Sequence, residues 1–230
     1  MEKLLENVKR YTLFLIGLFV MAVGIALMVR AELGTSPISS IPYVFSLKFS
    51  EISLGVFTIL WNIFLILGQV LILRRKFRWF QLVQIPLTFL FGIFVDFSKY
   101  ILDFLHPQEY WKQAAVLILG CLVLALGVSF TVVAGVVMNS GEAFVNAVAQ
   151  QTGKNFGTIK VFFDSALVLL SAAFSLLFFG RIVGVREGTV IAALLSGFII
   201  RFFNRLLTPV IERWFCGSRP KEEQNFSQSG

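Results

Sequence analysis

Four ionisable side chains sit inside otherwise apolar stretches of this chain, and they are the first residues to weigh for chemistry. Asp96, Lys160, Asp164 and Arg201 stand among Leu, Ile, Val and Phe. A charge in such surroundings is costly and marks a functional position by default. Lys160 and Asp164 are one helical turn apart and can pair on one helix face. Two polar breaks add to this set. Thr35-Ser36-Pro37 and Ser140-Gly141-Glu142 each read as a helix start, followed by a short apolar run. Free N–H groups at such a start form a positive end suited to a carboxylate, sulfonate or phosphate. Asn62, beside Trp61, contributes an amide that either lines a site or bonds a neighbouring helix. The expected substrate-binding set is Thr35, Ser36, Asn62, Asp96, Ser140, Gly141, Asp164 and Arg201. Its chemistry is recognition rather than bond-making. The single histidine, His106, lies beside Pro107, and no phosphate-loop or dinucleotide motif is present. No enzyme activity, catalytic residue, metal or cofactor is therefore expected.

These residues need a scaffold, and composition says which. Of 230 residues, 57 % are hydrophobic and 14 % charged, with a mean hydropathy of +0.83. Soluble domains carry roughly 25 % charged residues, so the chain belongs in a bilayer. Six stretches are long and apolar enough to cross roughly 30 Å of hydrocarbon as helices. They run Tyr11 to Val29, Ser53 to Leu73, Phe80 to Phe104, Trp111 to Val137, Phe156 to Phe179 and Thr189 to Trp214. No small-x-small cleavage site follows the first, which is read as a retained span rather than a leader. Lys3, Lys9 and Arg10 precede the first span, Arg74, Arg75, Lys76 and Arg78 follow the second, and Arg213, Arg219 and Lys221 follow the sixth. The positive-inside rule places these three regions, and so both termini, in the cytoplasm. This bias accounts for the net charge of +7 without invoking nucleic acid. Cys121 and Cys216 suggest neither a disulfide framework nor a metal cluster.

The spans form a repeat. Ile16-Gly17-Leu18-Phe19-Val20-Met21-Ala22-Val23-Gly24 aligns with Leu119-Gly120-Cys121-Leu122-Val123-Leu124-Ala125-Leu126-Gly127, about 103 positions later. Leu54-Gly55 aligns with Phe156-Gly157, and Asn62 with Asp164. The stretch from Gly92 to Asp96 aligns with Gly197 to Arg201. Three spans per copy, an odd number, require the second copy to be inverted. The expected fold is all-α. It has six transmembrane helices in two inverted three-helix repeats, 1–106 and 107–216, and a disordered cytoplasmic tail, 217–230. The short helix after each break would be re-entrant, or would lie in the headgroup plane. Asp96 and Arg201, equivalent in the two copies and opposite in charge, would meet between the halves.

Ala31-Glu32-Leu33-Gly34-Thr35-Ser36-Pro37 resembles the A-x-L-G-x-x-P signature of bacterial YczE/YitT-like integral membrane proteins. Glu187-Gly188-Thr189 and the run to Gly197 resemble that group's second glycine-rich motif. Ile38 departs from the pattern, where an aromatic is expected after Pro37. The resemblance covers nearly the whole chain and implies a multi-pass protein of the bacterial inner membrane.

The lead expectation is a small secondary transporter for a small polar solute, anionic or zwitterionic. One alternative is the substrate-binding membrane subunit of an energy-coupling-factor importer, and another is a non-transporting accessory protein. Expected partners are the solute and the lipid bilayer, with a homodimer left open.

Overall fold

The computed structural model describes residues 2–74 and 79–216. Arg75, Lys76, Arg78 and the tail 217–230 lie outside the described residues. Within them the chain forms eight α-helices. These are α1 (Glu2–Arg30), α2 (Pro37–Lys48), α3 (Leu54–Leu73), α4 (Gln84–Ile101), α5 (Tyr110–Ala134), α6 (Ser140–Thr152), α7 (Phe156–Phe179) and α8 (Glu187–Cys216). Short 3-10 turns flank α4 at Trp79–Val83 and Leu102–Phe104. No strand occurs among the described residues. Five helices are long and apolar enough to cross a membrane: α1, α3, α4, α5 and α7. A sixth is α8, bent by 41° between Glu187–Ala193 and Gly197–Ile211. Ser196-Gly197 stands at that bend, a residue pair at which helices commonly kink. Of the six expected spans, five thus correspond to candidate membrane helices and the sixth to a bent helix that qualifies only if its two arms form one span.

Helix limits follow local chemistry. Ser53 caps α3 by accepting the Val56 N–H at 3.2 Å, and Asn155 caps α7 by accepting the Gly157 N–H at 2.8 Å. Helices α5 and α7 stop at Gly135 and Gly180, both left-handed, where a side chain would be strained.

The molecule is built on the crossing of α1 and α5. Two thirds of α1's apolar window is buried, against about a fifth for α4 and α7, which places α1 at the centre. The four aligned glycines make the crossing close. A Cβ on Gly127 would lie 2.8 Å from the Gly17 carbonyl oxygen, and one on Gly120 would lie 3.1 Å from that of Gly24. Early residues of α1 meet late residues of α5, so the two helices run antiparallel. Without side chains at these points the backbones approach closely, as small residues allow in membrane helices.

Helix order long, short, long, long occurs twice, and each short helix packs across to the other set. α2 packs on α7, where Phe45 meets Phe174 and Phe178 at 5.2 and 5.3 Å. α6 packs on α3, where the Phe144 ring covers Gly68. Pro37 and every residue from Ser39 to Val44 are buried, so α2 does not lie along a surface over its first two turns. The two glycine-bearing motifs of the sequence clasp each other. The Gly188 N–H donates to Leu33 O at 2.9 Å, and the Thr35 N–H donates to Thr189 Oγ1 at 3.2 Å. Gly34 has φ +114°, and a Cβ on it would meet Thr189 Oγ1 at 2.4 Å, so conformation and space both demand glycine.

Candidate functional site

The N-termini of α2 and α6 end in one internal cavity of about 130 Å³. Their approach is close: a Cβ on Gly141 would fall 1.9 Å from Ile38 Cδ1. Helices α1, α4 and α5 give the cavity apolar residues, Phe14, Leu18, Phe91 and Leu124 among them, and α4 adds Gln84 and Thr88. Further polar lining residues come from α3, α6 and α7. Asn62 comes from α3, Lys160 and Asp164 from α7, and Ser140, Gly141 and Glu142 from α6.

Neither helix start is closed by its own cap. Ser36 precedes α2 but donates its hydroxyl to Ser39 Oγ at 3.0 Å. Asn139 precedes α6 but turns its amide to Thr131 Oγ1 at 3.2 Å. The first-turn N–H groups of α6, at Ser140, Gly141 and Glu142, thus keep their donors for a cavity occupant. Pro37 has no N–H, so α2 offers fewer donors.

The start of α6 is itself held in place. The fully buried Gln69 donates to Ser140 O at 3.1 Å and exchanges amide bonds with Gln84 at 3.3 and 3.4 Å. Thr88 and Ser140 hydroxyls lie 3.4 Å apart. These bonds tie α3, α4 and α6 together where the backbone of α6 begins. Sequence reasoning missed Gln69 and Gln84. The rule that drew attention to Asn62, an amide within an apolar span, applies equally to Gln69.

On α7, Lys160 Nζ donates to Asp164 Oδ1 at 2.8 Å, the pairing expected from their spacing. Glu142 lines the same cavity as these two groups, and its carboxylate makes no hydrogen bond with any described residue. Two acids and one ammonium thus line the same cavity, the ammonium paired with Asp164. In the sequence, Glu142 reads only as a sign of a helix start. Asn62 is 9 % exposed, lines the cavity and makes no hydrogen bond with any described residue. The buried indole Nε1 of neighbouring Trp61 also lacks an acceptor. A buried polar group without a partner is costly, and its presence on a cavity wall points to an occupant.

Of the eight expected site residues, Ser36, Asn62, Ser140, Gly141 and Asp164 line this cavity. Three do not. Thr35 is fully buried in the clasp against Thr189. Asp96 accepts the Gly55 N–H at 2.7 Å and the Ser53 hydroxyl at 2.5 Å, fixing the start of α3 against α4. Arg201 is exposed, donates to Gly197 O on its own helix at 3.0 Å and lies over the Phe198 ring. The expected Asp96–Arg201 pair does not form. Helix α4 packs on α1 and α3, whereas α8 packs chiefly on α5, so equivalence in the repeat brings no contact here. The divergence has a local cause. In the second copy Asn155 caps the Gly157 N–H from within its own loop, and no acid is needed at position 201 to do what Asp96 does.

Comparison with known proteins agrees with the architecture. Residues 8–205 match the model of a family of unknown function, DUF6198, and the chain belongs to that family. It is 28 % identical over 198 residues, 86 % of each chain, to the uncharacterized membrane protein YczE of Bacillus subtilis (strain 168). The resemblance read from the two glycine-bearing motifs is thereby established. No solved structure matches the chain.

Proposed function

We propose that this YczE-like membrane protein is a small permease for a zwitterionic solute with an apolar body. The cavity carries the reading. Its lining is largely apolar, and its polar groups set the start of α6 in one space with two acids and one ammonium. A solute carboxylate suits the helix start, and a solute ammonium suits the surplus acid. At about 130 Å³ the space is well below the roughly 300–1,000 Å³ of pockets for drug-sized ligands, so the solute is small.

Inverted repeats would turn such a site into a pathway, because each half can rock around a fixed centre. Two observations support that arrangement. Equivalent helices α1 and α5 run antiparallel, and the contact of α2 with α7 has its counterpart in α6 with α3. The basic residues put both termini and the 74–78 connection on the cytoplasmic face of the inner membrane. A cysteine at exposed Gly153 should then resist an impermeant thiol reagent in intact cells and react after lysis. Labelling from outside would reject this orientation.

Thermal unfolding in the presence of solutes tests the binding site. A small apolar amino acid should raise the unfolding temperature more than its N-acetyl or amide derivative does. Saturation at 100 times Kd corresponds to about 2.7 kcal/mol. Ser140→Leu, which fills the cavity, should abolish the shift in protein that still folds. A panel with no stabilising zwitterion, or an unchanged shift in the Ser140 variant, would reject the reading.

A further inference from the structure

We propose that Glu142 is an exchange site at which a proton and a cationic solute group exclude one another. For the solute the proposal rests on the binding reading above; for the proton it stands on geometry alone.

Glu142 occupies the first turn of α6 and belongs to two cavities at once. One is the central cavity. The other, of about 210 Å³, is bounded by the last turn of α5 and the Gly135–Met138 connection. This second cavity lies toward the end of the molecule that holds the early turns of α1, since Arg10 donates to the carbonyl of Ala134, next to the lining residue Gly135, at 3.3 Å. The carboxylate therefore sits on a wall shared by the solute site and a space on one side of the protein.

Its partners are few. The Lys160 ammonium is engaged by Asp164 at 2.8 Å, and Asp164 repels a second negative charge. Arg10, at the rim, is bonded to Glu6 and to Ala134 O. The walls from α3 and α4 present amides, hydroxyls and an indole. Glu142 shares this cavity with the Asn62 amide and with the Trp61 indole, whose buried Nε1 lacks an acceptor and so marks room for an occupant. An unpaired ionised carboxylate in such a place is costly, and two things relieve it. One is a proton, which converts the carboxylate to a carboxylic acid and takes the Glu142–Lys160–Asp164 cluster from net −1 to neutral. The other is a cation from the solute. The two cannot occupy the same oxygens together. Arrival of a solute ammonium expels the proton as hydronium into the second cavity, one proton released per cation bound. Charge and protons balance, and the exchange ties solute occupancy to the proton gradient.

Infrared difference spectroscopy of the purified full-length protein tests this, titrated across the pH range in which the fold holds. Wild type should show the C=O stretch of a protonated carboxylic acid in a weakly hydrogen-bonded setting. Glu142→Gln should remove that band and Asp164→Asn should keep it. Adding n-butylammonium chloride, against sodium chloride at equal ionic strength, should move the band's midpoint to lower pH by competition. A band that survives Glu142→Gln overturns the proposal, and so does a midpoint indifferent to n-butylammonium. If Glu142→Gln does not fold, Glu142→Asp decides: a titrating band at a changed frequency supports the assignment, and an unchanged spectrum overturns it. These readouts do not involve the zwitterion panel. A titrating Glu142 beside a silent panel would reject the solute reading alone, and the reverse would reject only the exchange.

Discussion

Gly127→Leu is expected to deprive the protein of its fold, whereas Gly197→Ala leaves it intact. A Cβ on Gly127 would stand 2.5 Å from the Met21 backbone nitrogen and 2.8 Å from the Gly17 carbonyl oxygen. Both atoms belong to the backbone of α1, so no rotamer change can make room. The helices would have to part along a contact that is also set by Gly17, Gly24 and Gly120. Over-packing commonly costs about 1–3 kcal/mol where side chains can adjust, and more is expected between two backbones. Nothing lies within 4 Å of a Cβ on Gly197, and alanine favours a helix over glycine by roughly 0.5–1 kcal/mol. Size-exclusion profiles and unfolding temperatures in mild detergent would report the contrast. A Gly127→Leu protein that elutes and unfolds like wild type would remove the α1–α5 crossing from its central place in the fold.

That contrast also shows what a sequence can carry. The glycines at 17, 24, 120 and 127 were visible as a repeat because close helix packing demands the smallest residue at set intervals in both partners. The two helix starts in the cavity were visible because breaks need hydroxyls, prolines and glycines at fixed places in the chain. Lys160 and Asp164 were visible because one turn of helix fixes their distance. Each of these is a local rule. Asp96 and Arg201 misled for the opposite reason, since their pairing assumed a contact between helices that the register of the repeat does not determine. Gly92 and Gly197 also align, yet a Cβ on Gly92 would lie 2.8 Å from the Gly55 carbonyl oxygen while Gly197 stands open, so the copies have diverged where α7 and α8 meet less tightly. Thr35 misled in another way. Its motif marks a tight clasp with Thr189, and a residue type suited to ligand binding is equally suited to filling a crowded turn. Gln69 and Glu142 were passed over because their importance comes from partners on other helices: Ser140 and Gln84 for one, Lys160 and Asp164 for the other.

The shared ammonium gives the second large effect, and it is asymmetric. Lys160→Met should destabilise the protein more than Asp164→Asn does, although both break the same 2.8 Å ion pair. Removing Asp164 leaves Lys160 free to turn toward Glu142, which lines the same cavity. Removing Lys160 leaves two acids in one cavity with no cation, so that one of them has to hold a proton. Breaking a fully buried pair costs about 3–5 kcal/mol. The side chains here are 31 % and 12 % exposed, so water in the cavity screens part of that. The expected losses are about 3 kcal/mol for Lys160→Met and about 1 kcal/mol for Asp164→Asn at neutral pH. The double variant retains only Glu142 and should recover part of the lysine loss, with an interaction energy of roughly 0.5–3 kcal/mol in the cycle. Adding Glu142→Gln to Lys160→Met should likewise restore stability, because it removes one of the two stranded acids. Reversible unfolding by denaturant in detergent measures all four variants on one scale. Equal losses for the two single variants, with no recovery from Glu142→Gln, would mean that Glu142 does not share the lysine and that the cavity holds a simple ion pair.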